Sequence, residues 1–354
     1  MAWTRRLAAA CVTLAFGASL ANAQQTDVIY NITSPVPTVA EAPHASVPAV
    51  LGFWEDEGLN VQVNPTSGST QATQLVAAGT SHFTMATVEP LIVAKQQGAD
   101  VLAVYNHTRE PIYTIAVTSD SDIDELSDLK GTTVGVLSLS SGAVPFAKAM
   151  LNGAGIDPDQ DVEWLPIGLG AQAVNAINSD QVDAIAFWDW GYAIMENQGL
   201  EFRHFTTPET QALLSLAIVA NSGFVDSNPE VTAKFARGIA KAALFTITNP
   251  EAAVRIHWER YPDSKPTDVP EEQALSEAVH VLEARLQKYK IADREDPRFG
   301  AFTDAQWEAT QNFLYDNDVV SEKLDVSEYY TPEFVEEIND FDHEAIIEQA
   351  RNWQ

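Results

Sequence analysis

The sequence predicts an α/β protein of two similar lobes followed by a helical tail, and three observations predict it. Short β-branched runs alternate with helical stretches from Asp27 to about Asn221, the pattern of parallel sheets covered by helices on both faces. After Asn228 the pattern turns almost wholly helical. The stretch 75–89 is echoed by 175–189, each reading as a helix end, a polar turn, a buried strand and a carboxylate opening a new helix. The echo has few identities, so it fits either two related lobes or the common grammar of α/β units.

In chain order, Arg5 and Arg6 precede an apolar run over 7–20 and the small-residue triplet Ala21-Asn22-Ala23. That is a secretory signal over 1–23, cut before Gln24, and its apolar run is too short to span a bilayer comfortably. Cys11, the one cysteine of the 354 residues, falls inside it without the branched residue of a lipoprotein cleavage site. The exported chain therefore has no disulfide, thiolate metal site or cysteine nucleophile. A net charge of −30 repels nucleic acid and anionic lipid and favours solubility. Runs such as Glu271-Glu272 and Glu336-Glu337 read as solvated helix faces.

Strands are expected at 28–33, 59–64, 82–87, 101–106, 112–118, 133–137, 162–166, 182–188 and 214–220. Helices are expected at 46–57 and 145–153, then at 229–248, 250–261, 270–289, 303–317 and 342–352. In open α/β sheets ligands sit outside the carboxyl ends of the strands, so the loops there are the candidates for contact.

Several segments resemble the periplasmic binding proteins of ABC importers for nitrate, sulfonates, taurine and thiamine-pyrimidine precursors. They are Gly52-Phe53-Trp54-Glu55-Asp56-Glu57-Gly58-Leu59-Asn60-Val61, Gly68-Ser69 with Leu75-Val76-Ala77-Ala78-Gly79, and Asp128-Leu129-Lys130-Gly131-Thr132-Thr133-Val134-Gly135-Val136. Gln181-Val182-Asp183-Ala184-Ile185 and Tyr330-Thr331-Pro332-Glu333-Phe334 extend the likeness over most of the chain. The resemblance implies a two-lobed type II periplasmic binding protein fold, with 24–108 and 215–354 in lobe 1 and 109–214 in lobe 2. It also implies hinge closure on a small molecule, a periplasmic location, and an inner-membrane permease with its ATPase as partners. A monomer is expected, with no catalytic residues, metal or cofactor and no nucleic-acid partner.

Each site candidate carries two readings. His44, in the proline-rich loop after the first strand, donates to a ligand oxygen or caps a helix. Ser67, Gly68, Ser69 and Thr70, with Ser140, Ser141 and Gly142 in the other lobe, offer N–H groups and hydroxyls to an anion or only cap helices. Thr87 and Glu89 close one strand, and Trp188, Asp189 and Trp190 close its counterpart. The indoles stack on a flat ligand or fill core, and the carboxylates accept from an amine or favour helix starts. Arg109, the only arginine between Arg6 and Arg203, clamps an anionic group or pairs with a surface acid. Together they suit a sulfonate or taurine-like zwitterion, or an aminopyrimidine-like heterocycle, better than nitrate.

Other chemistry finds little support. Thr66-Ser67-Gly68-Ser69-Thr70 lacks the glycines of a hydrolase elbow. Asp157, Asp159 and Asp161 lack the glycine and glutamate of a calcium loop. The alternatives are a ligand-presenting extracytoplasmic sensor and, behind it, a secreted α/β hydrolase.

Overall fold

The computed structural model describes residues 25–289 and 296–353, so the expected signal over 1–23 lies outside the described residues. Among those residues are two five-stranded sheets. The first contains β1 (Thr26–Ile32), β2 (Leu59–Pro65), β3 (Phe83–Thr87) and β4 (Val101–Asn106). The second contains β5 (Tyr113–Thr118), β6 (Thr133–Val136), β7 (Glu163–Pro166), β8 (Ala184–Trp188) and β9 (Phe202–Phe205). A last strand, β10 (Leu216–Asn221), returns to the first sheet. The orders are β2-β1-β3-β10-β4 and β7-β6-β8-β5-β9.

The expectation of wholly parallel sheets is corrected: both are mixed. β1, β2 and β3 run parallel, as do β6, β7 and β8, but β10 and β5 are antiparallel to their neighbours. These are the strands by which the chain enters a sheet from the other lobe, and such a strand arrives from the opposite end. The echoed segments fall in equivalent places, since β3 and β8 each hold the middle of a sheet and are buried throughout. β9 escapes the sequence pattern because Phe202-Arg203-His204-Phe205 has no β-branched residue and lies at an edge.

Helices α1 (Ser46–Val50), α2 (Ser69–Ala77) and α3 (Val88–Gln96) accompany the first sheet. α4 (Ala143–Gly153), α5 (Ala171–Asn178) and α6 (Asp189–Glu196) accompany the second, and α7 (Pro208–Gln211) lies on the return connection. The tail comprises α8 (Ser222–Ser227), α9 (Pro229–Thr248), α10 (Pro250–Arg260), α11 (Glu271–Leu286), α12 (Asp304–Asp316), α13 (Val335–Ile338) and α14 (His343–Arg351). The helix expected over 46–57 stops at Val50 because Gly52 adopts φ +73°, a left-handed conformation that ends helices.

α9 is rich in alanine and approaches its neighbours closely. Phe235 stacks on Phe83 with centroids 4.3 Å apart, and the Trp54 indole N–H donates to the Phe235 carbonyl at 3.0 Å. A Cβ at Gly238 would lie 2.3 Å from Trp54 Cδ1, so only glycine lets that indole sit on the helix.

The chain passes between sheets at 107–112 and 206–215, and the two passages are bonded side by side. His107 N–H donates to the Leu216 carbonyl at 2.8 Å, and Ile112 N–H to Ser215 Oγ at 3.1 Å. α11 belongs to neither lobe alone, since it packs on α10 and the 3-10 turn Val39–His44 on one side and on α6 on the other. Just beyond it, the Lys288 carbonyl accepts from Arg109 N–H at 2.8 Å, and the Tyr289 hydroxyl shares a hydrogen bond with His107 Nε2 at 2.6 Å. The helix is thus a strap fixed beside the passages and laid across both lobes.

Candidate ligand site between the lobes

Strand direction turns the carboxyl ends of β1, β2 and β3 toward those of β6 and β8, and the loops beyond them meet. Thr70 N–H donates to the Ser140 carbonyl at 3.1 Å, and Ser138 Oγ donates to the Ser67 carbonyl at 2.8 Å. A Cβ at Gly68 would sit 2.7 Å from the Ser140 carbonyl oxygen, and one at Gly142 would sit 2.3 Å from Thr87 Oγ1. Glycine at both places permits the close approach. The two serine loops do not occupy equivalent places in their lobes: 67–70 follows β2, while 140–142 follows β6, the counterpart of β1. They face each other nonetheless.

Behind this seam lies a narrow cavity of about 30 Å³, room for a water or two and less than an aromatic ring needs. A ring therefore enters with the lobes parted, and side chains of the wall turn aside for the seam to re-form around it. The polar wall includes Ser34, Glu41, His44, Ser69, Ser141 and Arg285. The apolar and aromatic wall includes Met85, Ile112, Tyr113, Leu137, Trp188 and Trp190.

The charges on this wall are nearly all answered. Arg285, near the end of α11, donates from Nε and one terminal nitrogen to the two carboxylate oxygens of Asp189 at 2.7 and 2.6 Å. Both side chains are under 5% exposed, at 4% and 3%. Burial works against the guanidinium charge, but the Asp189 carboxylate outweighs it and holds the pKa above the ordinary value. His44 Nδ1 shares a hydrogen bond with the Tyr30 hydroxyl at 2.7 Å, and burial, reinforced by Arg285, pulls its pKa down to about 3. The ring is neutral at ordinary pH. Glu41 accepts from Thr38 N–H at 2.6 Å, yet burial pushes its carboxyl up to about 7.

Glu41 sets a pH dependence whose sign follows from that shift. An acid with a raised folded pKa contributes stability that is full below its unfolded value, near 4.5, and lost as pH rises through about 7. Glu41→Gln, which mimics the protonated acid, should match wild type at pH 5 and exceed it at pH 8 by about 2 kcal/mol. Urea denaturation at the two pH values checks this, and equal gaps at both would refute it.

Six sequence candidates line the cavity: His44, Gly68, Ser69, Ser141, Trp188 and Trp190. Although a helix begins at Asp189, both indoles reach the wall, edge to face with centroids 4.9 Å apart. The Trp188 indole N–H is buried with no acceptor among the described residues. Ser67, Thr70 and Ser140 form the seam. Thr87, Glu89 and Gly142 lie outside the lining residues, where Thr87 Oγ1 and Glu89 Oε2 are buried without partners among the described residues. Asp189 faces Arg285 and does not line the cavity. Arg109 does not line it either, since its guanidinium donates to the Arg298 carbonyl at 2.5 Å. The lining cation is Arg285, on a helix whose sequence offers no signal of a site.

The family model described as "NMT1/THI5 like" matches residues 46–253. A formylaminopyrimidine-binding protein of Halalkalibacterium halodurans is 27% identical over 58% of this chain, and the match spans 62% of that relative, under two thirds of its length. The riboflavin-binding protein RibY of Chloroflexus aurantiacus is 26% identical over 85% of this chain and 84% of its own. A 4-amino-5-hydroxymethyl-2-methylpyrimidine phosphate synthase of Legionella pneumophila is 22% identical, covering 80% and 85%. Among solved structures, the periplasmic aliphatic sulphonate binding protein SsuA of Escherichia coli shares the fold with a TM-score of 0.60, at 18% identity over 86% of this chain and 96% of that one. No helix among the described residues is long and apolar enough to cross a membrane.

Proposed function

Because the chain belongs to the NMT1/THI5-like family, we propose that it is an exported solute-binding component of an ABC importer that closes its two lobes on a flat nitrogen heterocycle. The observation that carries this is the cavity where both lobes meet, with Trp188, Trp190 and Tyr113 on one wall and hydroxyl, carboxyl and imidazole groups opposite. Aromatic faces suit a planar ring, and the unmet Trp188 N–H suits a ring nitrogen or carbonyl. A sulfonate or nitrate needs free cationic or N–H donors, whereas the guanidinium here is taken up by Asp189 and the loop N–H of Thr70 by Ser140. The names of two relatives, a formylaminopyrimidine-binding and a riboflavin-binding protein, support the same ligand class.

Closure buries the ligand and creates the two-lobed surface that a permease with its ATPase would read. The synthase name among the relatives raises turnover as the rival. Thermal unfolding of purified protein is the test, with riboflavin, 4-amino-5-hydroxymethyl-2-methylpyrimidine, taurine and nitrate as ligands. The tricyclic or the monocyclic heterocycle at 100 times its Kd should add about 2.7 kcal/mol and several degrees, with taurine and nitrate inert. A shift from taurine or nitrate alone would overturn the reading. Conversion of the ring to product would transfer it to the enzyme class.

A further inference from the structure

Asp189 and Arg285 come from different elements that pack together, one on α6 of the second lobe and the other on the strap α11. Asp189 stands between Trp188 and Trp190 in the chain but does not line the cavity, and its two carboxylate oxygens both accept from the guanidinium of Arg285, which does line it. Left alone, a carboxylate in that position is the group that would draw a protonated amine into the cavity. Here its charge is cancelled by a residue that reaches in from a helix bound to both lobes, with α6 further tied to it by Asn197 Nδ2 donating to the Glu277 carbonyl at 3.0 Å. The remaining wall groups are hydroxyls, imidazole, a carboxyl and aromatic rings. A closed, water-poor site with matched charges penalises any ligand that brings a charge of its own.

We propose that Arg285 is a specificity-determining residue: by masking Asp189 it makes the interlobe site select an uncharged heterocycle over cationic or anionic derivatives of the same ring. The inference rests on the heterocycle reading of the cavity and assigns its charge preference to one ion pair. Removing the mask exposes a carboxylate beside the ring, and the site then favours a cation. Removing the carboxylate instead leaves the guanidinium unanswered, and the site then favours an anion.

The test uses three probes that share one ring, the 5-hydroxymethyl, 5-aminomethyl and 5-carboxylate forms of 4-amino-2-methylpyrimidine, with dissociation constants measured by calorimetry at pH 7.5 and every protein, the wild-type reference included, carrying Glu41→Gln so that the other wall carboxyl adds no charge. Wild type should bind the hydroxymethyl form at least tenfold more tightly than either charged form. In Arg285→Gln the ratio of aminomethyl to hydroxymethyl affinity should rise at least tenfold. In Asp189→Asn the ratio of carboxylate to hydroxymethyl affinity should rise by a similar factor. The double variant, an uncharged hydrogen-bonding pair, should return both ratios to within threefold of wild type. Each single variant leaves a buried charge without its partner, so binding is compared only at temperatures where circular dichroism shows the variant folded. If one single variant does not fold, the other and the double variant still decide. Ratios unmoved in the folded variants would overturn the role of Arg285 while leaving the heterocycle reading standing. Wild-type protein that bound none of the three rings but held taurine would overturn both.

Discussion

Gly142→Ala is expected to weaken ligand binding on the order of 100-fold, equivalent to about 2.7 kcal/mol, while both lobes stay folded. Gly142 caps α4 in an ordinary helical conformation, so alanine brings no backbone strain there. Its new methyl would instead stand 2.3 Å from Thr87 Oγ1 of the opposite lobe and 2.6 Å from the Tyr113 hydroxyl. Thr87 is fully buried and β-branched, with little freedom to turn aside. The Tyr113 hydroxyl, the far end of a side chain in the same lobe as Gly142, shifts locally, whereas against Thr87 the cheapest escape is for the lobes to stand apart, and a ligand then has to supply the closing energy from its own contacts. Calorimetry should show the loss, and solution scattering a larger radius of gyration for the variant without ligand. Adding Thr87→Ala removes the opposing oxygen and should recover part of the affinity. Unchanged affinity in Gly142→Ala would mean that the methyl is absorbed within one lobe, and the seam would not be what limits closure.

Asp189→Ala should lower unfolding stability by about 3–5 kcal/mol, the usual result of leaving a buried charge without its partner. The guanidinium of Arg285 is almost wholly enclosed, and among the described residues its hydrogen bonds run to the missing carboxylate. Exchanging the pair together, Asp189→Leu with Arg285→Met, should cost clearly less than the single change, because apolar side chains fill the site without an unanswered charge. Urea denaturation of the three variants decides it. A double variant as unstable as the single one would show that packing around α6 and α11, not the ion pair, holds the strap.

Much of the architecture was legible beforehand because hydrophobic period and punctuation are local signals. The long tail helices were placed within a few residues by prolines at their starts, as at Pro229 and Pro250. The strand-end rule led to His44, Ser69, Ser141, Trp188 and Trp190 without any knowledge of contacts. Three features lay beyond it. The direction of β5 and β10 depends on which lobe the chain comes from, which no local pattern records. Glu41 sits three residues from His44 in the loop already singled out, but its burial follows from α9, α10 and α11 packing over that loop. Arg285 reads as one more charge on a helix with acidic neighbours, and only the crossing of the strap turns it inward. Arg109 misled for the converse reason: its scarcity in sequence marked it out, while its side chain ties the first passage to the backbone at Arg298.

The matched family segment ends at residue 253, and the arginine that balances the aromatic wall comes from α11, some way past it. On the proposed role of Arg285, cargo preference is written partly in the tail, beyond the segment that the family model matches. Two chains alike through the matched segment have no physical obligation to carry the same passenger, and on that proposal the tail is one place where their diets would diverge.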